Sequence, residues 1–338
     1  MRSRGIYTLA NDVVYDQLIA LLNSIEANVS SDIPVCVIPF DDRLDRVQKA
    51  ISTRPNVTLF DNQTSLDRWE NFARQFAQFH PEAKRTAQSH PRWYQGKLHR
   101  KFAAFDGSFD EFIFYDGDSL AMKPVEDIFE KLQTNDFIFN DWEHKKPHEN
   151  AALNIVEIER SSSFKESEIR PKLHCSSFFA SKRGIFNPEE TLLLQSRLQA
   201  EAGWVNGQGW WDDAFLFNYM TLVYDRPQFN FTLSLESHDR TGNCANSDPF
   251  VAIDQVLYNQ QGLKPIHRIH YMGYASSDFA RLSQGELVDI PHRDIFLHYR
   301  FLKELEQKPQ VLKPASSLIR VSRFLNKTAN KLKKYVQN

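Results

Sequence analysis

The sequence predicts an α/β protein with a mainly parallel central sheet flanked by helices. Three observations lead there. Short apolar runs alternate with helical patterns over residues 4–60, at the spacing of βαβ units. The run 111–115, Glu-Phe-Ile-Phe-Tyr, reads as a buried strand and passes directly into an acidic turn. Hydrophobic residues make up 41% and charged residues 25% of the 338, which supplies a core for one large domain or two ordinary ones. Aromatics at 13%, including 26 Phe and 6 Trp, exclude a disordered chain.

Each element has its own signal. Residues 4–10 are an apolar run closed by Asn11-Asp12, a strand followed by a helix cap. Val14, Leu18, Leu21, Leu22 and Ile25 then recur at helical spacing. Residues 34–39 are a second strand, 45–51 a helix and 56–60 a third strand. Right-handed crossovers make these strands parallel neighbours. Residues 62–95 are polar, aromatic and rich in Gln, Arg and His; they read as helical pieces or as an insertion over the sheet. A helix over 96–105 carries a basic face of Lys97, His99, Arg100 and Lys101. After the strand at 111–115, a helix over 124–132 opens on Pro124. Residues 136–140, 174–180 and 266–270 are further strands, and 189–200, 212–223 and 293–306 further helices. No internal repeat appears. The division expected is one domain over 1–312 and a basic amphipathic helix or tail over 313–338.

Several function classes drop out. The net charge of −2 offers no global field for nucleic acid. Cys36, Cys175 and Cys244 are too few and too scattered for a disulfide framework or a cysteine-based zinc site. Residues 1–15 do not read as a secretory signal, and no apolar run reaches the roughly 18 residues of a membrane span. The expected location is the cytoplasm. The sequons at Asn28, Asn56, Asn62, Asn230 and Asn326 then read as chance. No P-loop and no GxSxG motif is present, which counts against those phosphoryl-transfer and hydrolase classes.

The sharpest chemical signal is Asp116-Gly117-Asp118. A strand delivers its last residues to the C-terminal edge of the sheet, where open α/β sheets bind ligands. Two carboxylates on a tight turn converge on a hard cation such as Mg²⁺ or Mn²⁺. Such a cation bridges diphosphate oxygens and stabilises a departing nucleotide. Asp and Gly are also favoured in ordinary polar turns, so the tripeptide alone does not decide between the two readings.

The surrounding motifs resemble GT-A-fold glycosyltransferases, especially the glycogenin and galactosyltransferase-like (family 8-like) group. Thr8-Leu9-Ala10-Asn11-Asp12 with Tyr15, then Leu22-Asn23-Ser24-Ile25, is similar to that group's nucleotide-binding strand and helix. Lys101 sits where the group has a lysine ahead of its DxD motif, and residues 112–118 resemble the DxD strand. Residues 125–129 resemble the helix that follows, 174–179 the acceptor-side strand and 211–218 the start of a DQ-containing helix. Ile269-His270-Tyr271-Met272-Gly273 is similar to the late HxxG motif.

The resemblance implies a nucleotide-sugar donor, a divalent metal and transfer of a sugar to a carbohydrate or lipid-linked acceptor, as in polysaccharide biosynthesis. It leans toward retention of anomeric configuration. It implies Asp116, Asp118 and His270 as metal ligands, with His267 as the ligand if the register is shifted, although His267 points to the opposite strand face. It places Thr8, Leu9, Asn11, Tyr15, Lys101, Asp116, Gly117 and Gly273 around the nucleotide sugar. Asp212 or Asp213 would orient the donor or act as a base. Each has a plainer reading: Tyr15 as core, Asn11 and Asp212 as helix caps, Lys101 and Arg100 as a solvated helix face, and the tryptophans at 204–211 as core or as a sugar platform.

Departures from the pattern are visible. The acceptor-side strand reads Cys175-Ser176-Ser177 in place of Asn-Ser-Gly, and the DQ pair is Asp212-Asp213. No lysine follows Gly273; Arg281 is the nearest basic residue. These keep two alternatives open: a metal-dependent nucleotidyl- or phosphotransferase, and a non-catalytic nucleotide-binding or scaffolding protein. Residues 314–338 hold no Asp or Glu but do hold Arg320, Arg323, Lys327, Lys331, Lys333 and Lys334. Opposite them, Leu318, Val321, Leu325, Ala329, Leu332 and Val336 recur at steps of three and four. Such a helix either packs on the domain or lies peripherally on an anionic inner-membrane surface.

Overall fold

A computed structural model describes residues 2–79, 97–146, 153–204, 213–235, 244–245, 249–260 and 262–315. The strands are β1 (Arg4–Ala10), β2 (Val35–Pro39), β3 (Val57–Leu59), β4 (Glu111–Asp116), β5 (Ser119–Ala121), β6 (Phe137–Phe139), β7 (Phe178–Lys182), β8 (Gln228–Asn230), β9 (Phe250–Ile253), β10 (Val256–Asn259), β11 (Lys264–Pro265) and β12 (Arg268–His270). The α-helices are α1 (Tyr15–Asn28), α2 (Asp45–Ile51), α3 (Gln63–Gln78), α4 (Glu126–Lys131), α5 (Ile155–Ser161), α6 (Glu166–Ile169), α7 (Pro188–Glu201), α8 (Asp213–Tyr224), α9 (Ser276–Ser283) and α10 (Arg293–Arg300).

Among the described residues the main sheet has seven strands in the order β3-β2-β1-β4-β7-β6-β8. Every neighbouring pair is parallel except the two made by β7. The expected mainly parallel sheet is therefore present. Because β1, β4 and β6 run the same way, their last residues share one edge. The antiparallel β7 begins at that edge.

Alternation along β4 sorts the core. Phe112 and Phe114 join an aromatic layer with Tyr7, Phe102, Phe105, Phe179 and Phe217. Ile113 and Tyr115 face an aliphatic layer with Ile6, Leu18, Leu21, Val35 and Ile128. A strand side chain points to alternate faces, so one run feeds both layers. β1 is buried from Gly5 to Ala10. A Cβ on Gly5 would fall 2.4 Å from the Phe109 ring, so only glycine admits that packing. Separately, β12 pairs antiparallel with β5, His270 opposite Ser119. This pair belongs to a third core with Ile269, Tyr271, Phe279 and Phe296.

Several boundaries move. The chain over Lys97–Asp106 is a 3-10 helix, and His99, Arg100 and Lys101 are buried in it. Its basic face is inward because carboxylates meet it there: Glu70 takes Arg100 and Lys97. The strand expected from 174 begins at Phe178, because His174 turns to bond Thr221 and stacks on Phe139 with ring centroids 3.8 Å apart. The helix expected over 293–306 ends at Arg300. Pro124 precedes α4 and is not its first residue. α7 opens on Pro188 with a reciprocal cap, Asn187 accepting from Glu190 N and Glu190 from Asn187 N. Asp212, most of the tryptophan-rich stretch and 316–338 lie outside the described residues.

Candidate active site

The site forms where strand ends meet. Thr8 and Leu9 at the end of β1 lie in register with Tyr115 and Asp116 at the end of β4. The Asp116 N–H donates to the Ser177 carbonyl at 2.9 Å, which ties the turn to the lead-in of β7. A Cβ on Gly117 would sit 3.1 Å from the Leu9 carbonyl oxygen, so the turn closes tightly over β1. Tyr271 N donates to the Asp118 carbonyl at 3.0 Å, which brings β12 against the far side of the turn.

Asp116, Asp118 and His270 each present one ligand atom, and these atoms all lie within 4.8 Å of one another. His270 Nε2 is 3.2 Å from Asp118 Oδ1. Two carboxylates and one imidazole suit a hard or borderline divalent ion such as Mn²⁺ or Mg²⁺. Burial opposes charge on His270, but the Asp118 carboxylate outweighs it and lifts the imidazole to about 9. Burial likewise opposes charge on Asp118, and His270 more than offsets it, holding that carboxyl below its ordinary value. Burial pushes Asp116 up; Lys101 pulls against this, Asp118 adds to it, and the net shift is upward.

Lys101 joins this cluster to α8. Its Nζ lies 2.8 Å from Asp116 Oδ1, 2.6 Å from Asp213 Oδ2 and 3.4 Å from the Ser176 carbonyl. An ammonium has three N–H donors, so all of them have protein acceptors. The two carboxylates override burial and raise the Lys101 pKa, so the side chain stays charged. Asp213 also accepts from Ser176 Oγ at 2.5 Å, and Lys101 brings its carboxyl down to about 2 against the effect of burial.

The remaining candidates spread along the same edge. Thr8 is buried with Oγ1 unpartnered, and Leu9 is nearly so. Asn11 caps the short 3-10 helix Asp12–Val14, accepting from Val13 N at 3.0 Å. Tyr15 opens α1 half-buried, with the Arg46 guanidinium 3.8 Å from its ring centroid. Gly273 has φ +88°, a conformation other residues rarely adopt, and open space where a Cβ would be. Arg281 is spent on Asp278 and Glu286 within its own helix and turn.

Two residues at this edge escaped the sequence reading. Asp141 follows β6 as Asp116 ends β4; its Oδ1 accepts from Glu143 N and its Oδ2 from Cys175 N, both at 2.9 Å. Burial raises it to about 6 in spite of those bonds. Arg268 sits two residues before His270, hence on the same strand face, and is 1% exposed. The signals were an acid directly after a strand, and a charge at alternate spacing from the candidate histidine.

No family model and no curated protein sequence matches the chain. Solved structures do. WbbM, a bifunctional glycosyltransferase in its apo form, superposes at TM-score 0.51 with 14% identity, covering 91% of this chain and 52% of WbbM. This chain has the GT-A glycosyltransferase fold. It spans about half the length of WbbM. The galactosyltransferase LgtC, in complex with donor and acceptor sugar analogues, is similar at TM-score 0.48 with 12% identity, over 94% of this chain and 99% of LgtC. The glycosyltransferase GlyE from Streptococcus pneumoniae TIGR4 gives TM-score 0.47 with 12% identity, over 94% of this chain and 66% of GlyE. Similarity at this level concerns the GT-A fold; what the chain does has to be argued from its own site.

Proposed function

We propose that the chain transfers a sugar from a nucleotide-sugar donor to an acceptor hydroxyl, using Mn²⁺ or Mg²⁺ held by Asp116, Asp118 and His270. The observation that carries this reading is the convergence of those three ligand atoms at the strand edge of a GT-A fold. A cation bound there would supply positive charge against the departing diphosphate.

The chain's own residues do the positioning. Lys101 holds Asp116 Oδ1 and Asp213 Oδ2 and so fixes the two carboxylates relative to each other. Against the effect of burial, Lys101 holds the Asp213 carboxyl below its ordinary value, which suits it to accept a hydrogen bond from a sugar hydroxyl and so orient the donor. Asp141 is raised by burial, but both its oxygens are held by backbone N–H groups, so it serves the edge as a fixed acceptor. Thr8, Leu9, Asn11 and Tyr15 would border the nucleoside, and Gly273 would leave room for the diphosphate. Holding donor and acceptor in one orientation is itself a large part of the rate enhancement.

The test is a panel of UDP-, GDP-, CDP- and dTDP-sugars, each with Mn²⁺ and with EDTA, followed by nucleoside-diphosphate release and product mass. Mn²⁺-dependent release from one donor class, lost in Asp118→Ala, is expected. Absence of release with every donor, even with acceptor glycans added, overturns the reading. A second reading, nucleotide binding without turnover, draws on Arg281, the nearest cation after Gly273, being committed elsewhere. That reading predicts a Mn²⁺-dependent thermal shift with a nucleotide and no sugar release.

Among the described residues no helix is long and apolar enough to cross a membrane. The basic, acid-free pattern of 313–338 supports peripheral contact with an anionic surface. Co-sedimentation with anionic and neutral vesicles, with and without that segment, tests it.

A further inference from the structure

We propose that Arg268 is the positioning residue of the Asp116–Asp118–His270 cluster, a guanidinium fork that ties together the chain segments bearing the ligands. The proposal rests on the metal-site reading above.

Arg268 donates from Nη1 to Ser119 Oγ at 3.3 Å and from Nη2 to Ser177 Oγ at 2.9 Å. Both hydroxyls lead straight to ligands. Ser119 follows Asp118 in the chain and stands opposite His270 in the β5–β12 pair. Ser177 accepts the Asp116 N–H on its carbonyl. Arg268 itself lies on β12 two residues before His270. One planar group therefore connects β12, the start of β5 and the lead-in of β7, and each ligand neighbours a serine that it holds: Asp118 by the chain, Asp116 by a hydrogen bond and His270 by strand pairing.

Burying this arginine has a cost. Its side chain is buried, it forms no ion pair within 4 Å among the described residues, and its Nε has no partner. Two hydroxyls, the Phe178 ring 5.3 Å away and the more distant charges of Asp118 and Asp141 are what it receives for leaving water. What the guanidinium offers instead is geometry: two N–H groups fixed in a plane, a shape that a lysine ammonium lacks.

The positive charge of Arg268 repels an arriving cation. If Arg268 mattered only as filler, its removal would leave cation affinity unchanged or improve it. If it mattered only as a charge, the double variant Ser119→Ala/Ser177→Ala, which keeps that charge, would bind as the wild type does. If it positions the ligands, its removal weakens affinity although a repulsion has been lifted.

The experiment is Mn²⁺ titration read by electron paramagnetic resonance of free Mn²⁺. It compares the unsubstituted chain with Arg268→Met, Arg268→Lys and the double variant Ser119→Ala/Ser177→Ala. Circular dichroism and urea unfolding control for the fold. Both arginine variants are expected to bind Mn²⁺ about 10–100-fold more weakly, the range for partners that orient metal ligands. The double serine variant, which keeps the charge, is expected to lose affinity in the same direction. Equal or tighter binding by a folded Arg268→Met overturns the proposal. If that variant does not fold, unchanged affinity in the double serine variant overturns it instead. A wild-type chain that binds no Mn²⁺ removes the metal-site reading itself and the proposal with it. That outcome differs from a wild type that binds and variants that match it, which sinks the proposal alone.

Discussion

Two histidines three residues apart on the same segment each face an aspartate, yet they make different sites. His267 Nε2 meets Asp127 Oδ2 at 2.9 Å, and its Nδ1 meets Asn140 Nδ2 at 2.8 Å. Asp127 also takes Lys123 at 2.6 Å, and the His267 ring packs on Phe231. This is a closed lock between α4, β6 and the approach to β12. His270 meets Asp118 in much the same way, but a second carboxylate, Asp116, converges on the same point. The difference teaches that a histidine–aspartate pair is not a cation site by itself. What distinguishes the candidate is a second carboxylate converging on the same point. At His267 the lone carboxylate is already balanced by Lys123. At His270 two carboxylates share one imidazole, part of one lysine and the more distant charge of Arg268.

The comparison can be broken most sharply at the carboxylates. Asp118→Ala should abolish Mn²⁺-dependent nucleotide binding, a loss beyond the roughly 10–100-fold typical of outer partners. Asp127→Ala should leave that binding intact and lower stability. Thermal shift with Mn²⁺ and nucleotide reads both, and binding that survives in Asp118→Ala would erase the distinction.

The histidines themselves should separate next. His267→Ala removes a buried ring and two hydrogen bonds, and is expected to cost about 2–4 kcal/mol in urea unfolding. His270→Ala leaves Asp118 without its partner and should also lower stability, but unlike His267→Ala it should bind Mn²⁺ poorly. A reversed pattern would mean that His267 is the ligand.

A third buried histidine sharpens the electrostatics. Burial between Phe139 and Thr221 drives His174 down to about 3, so it stays neutral in the folded chain. Its pKa in the unfolded chain is near 6.5. The stability this contributes is complete above pH 6.5 and is lost as pH falls toward 3, because only the unfolded chain takes up the proton. His174→Gln should flatten the loss of stability between pH 6.5 and 4. An unchanged acid limb would assign that limb to other groups.

The smallest effect is expected at the turn. Gly117→Ala must push the Leu9 carbonyl by a few tenths of an ångström. It should cost about 1 kcal/mol or less in stability, and only a few-fold in Mn²⁺ affinity. A loss as large as that of Asp118→Ala would show that the turn has no slack.

Much of this was legible along the chain, and the reason is locality. β1 and β4 announced themselves because a strand buried on both faces needs an unbroken apolar run. Asp116 and Asp118 could be singled out because a strand end points at the ligand edge. That the face of Lys97, Arg100 and Lys101 turns inward is not legible locally because its partners are remote: Glu70, Asp116 and Asp213 arrive only on folding. Nothing near Arg268 in sequence announces Ser177, which is 91 residues away.

The sequence by itself determined the parallel sheet, the acidic turn at its edge and the candidate status of His270, since periodicity and strand ends are properties of neighbouring residues. Only the tertiary structure decided which histidine faces two carboxylates, why Lys101 can be buried and charged, and that Asp141 and Arg268 belong to the same edge. A buried charge is tolerable only beside the groups that fold against it, and those groups lie on other strands.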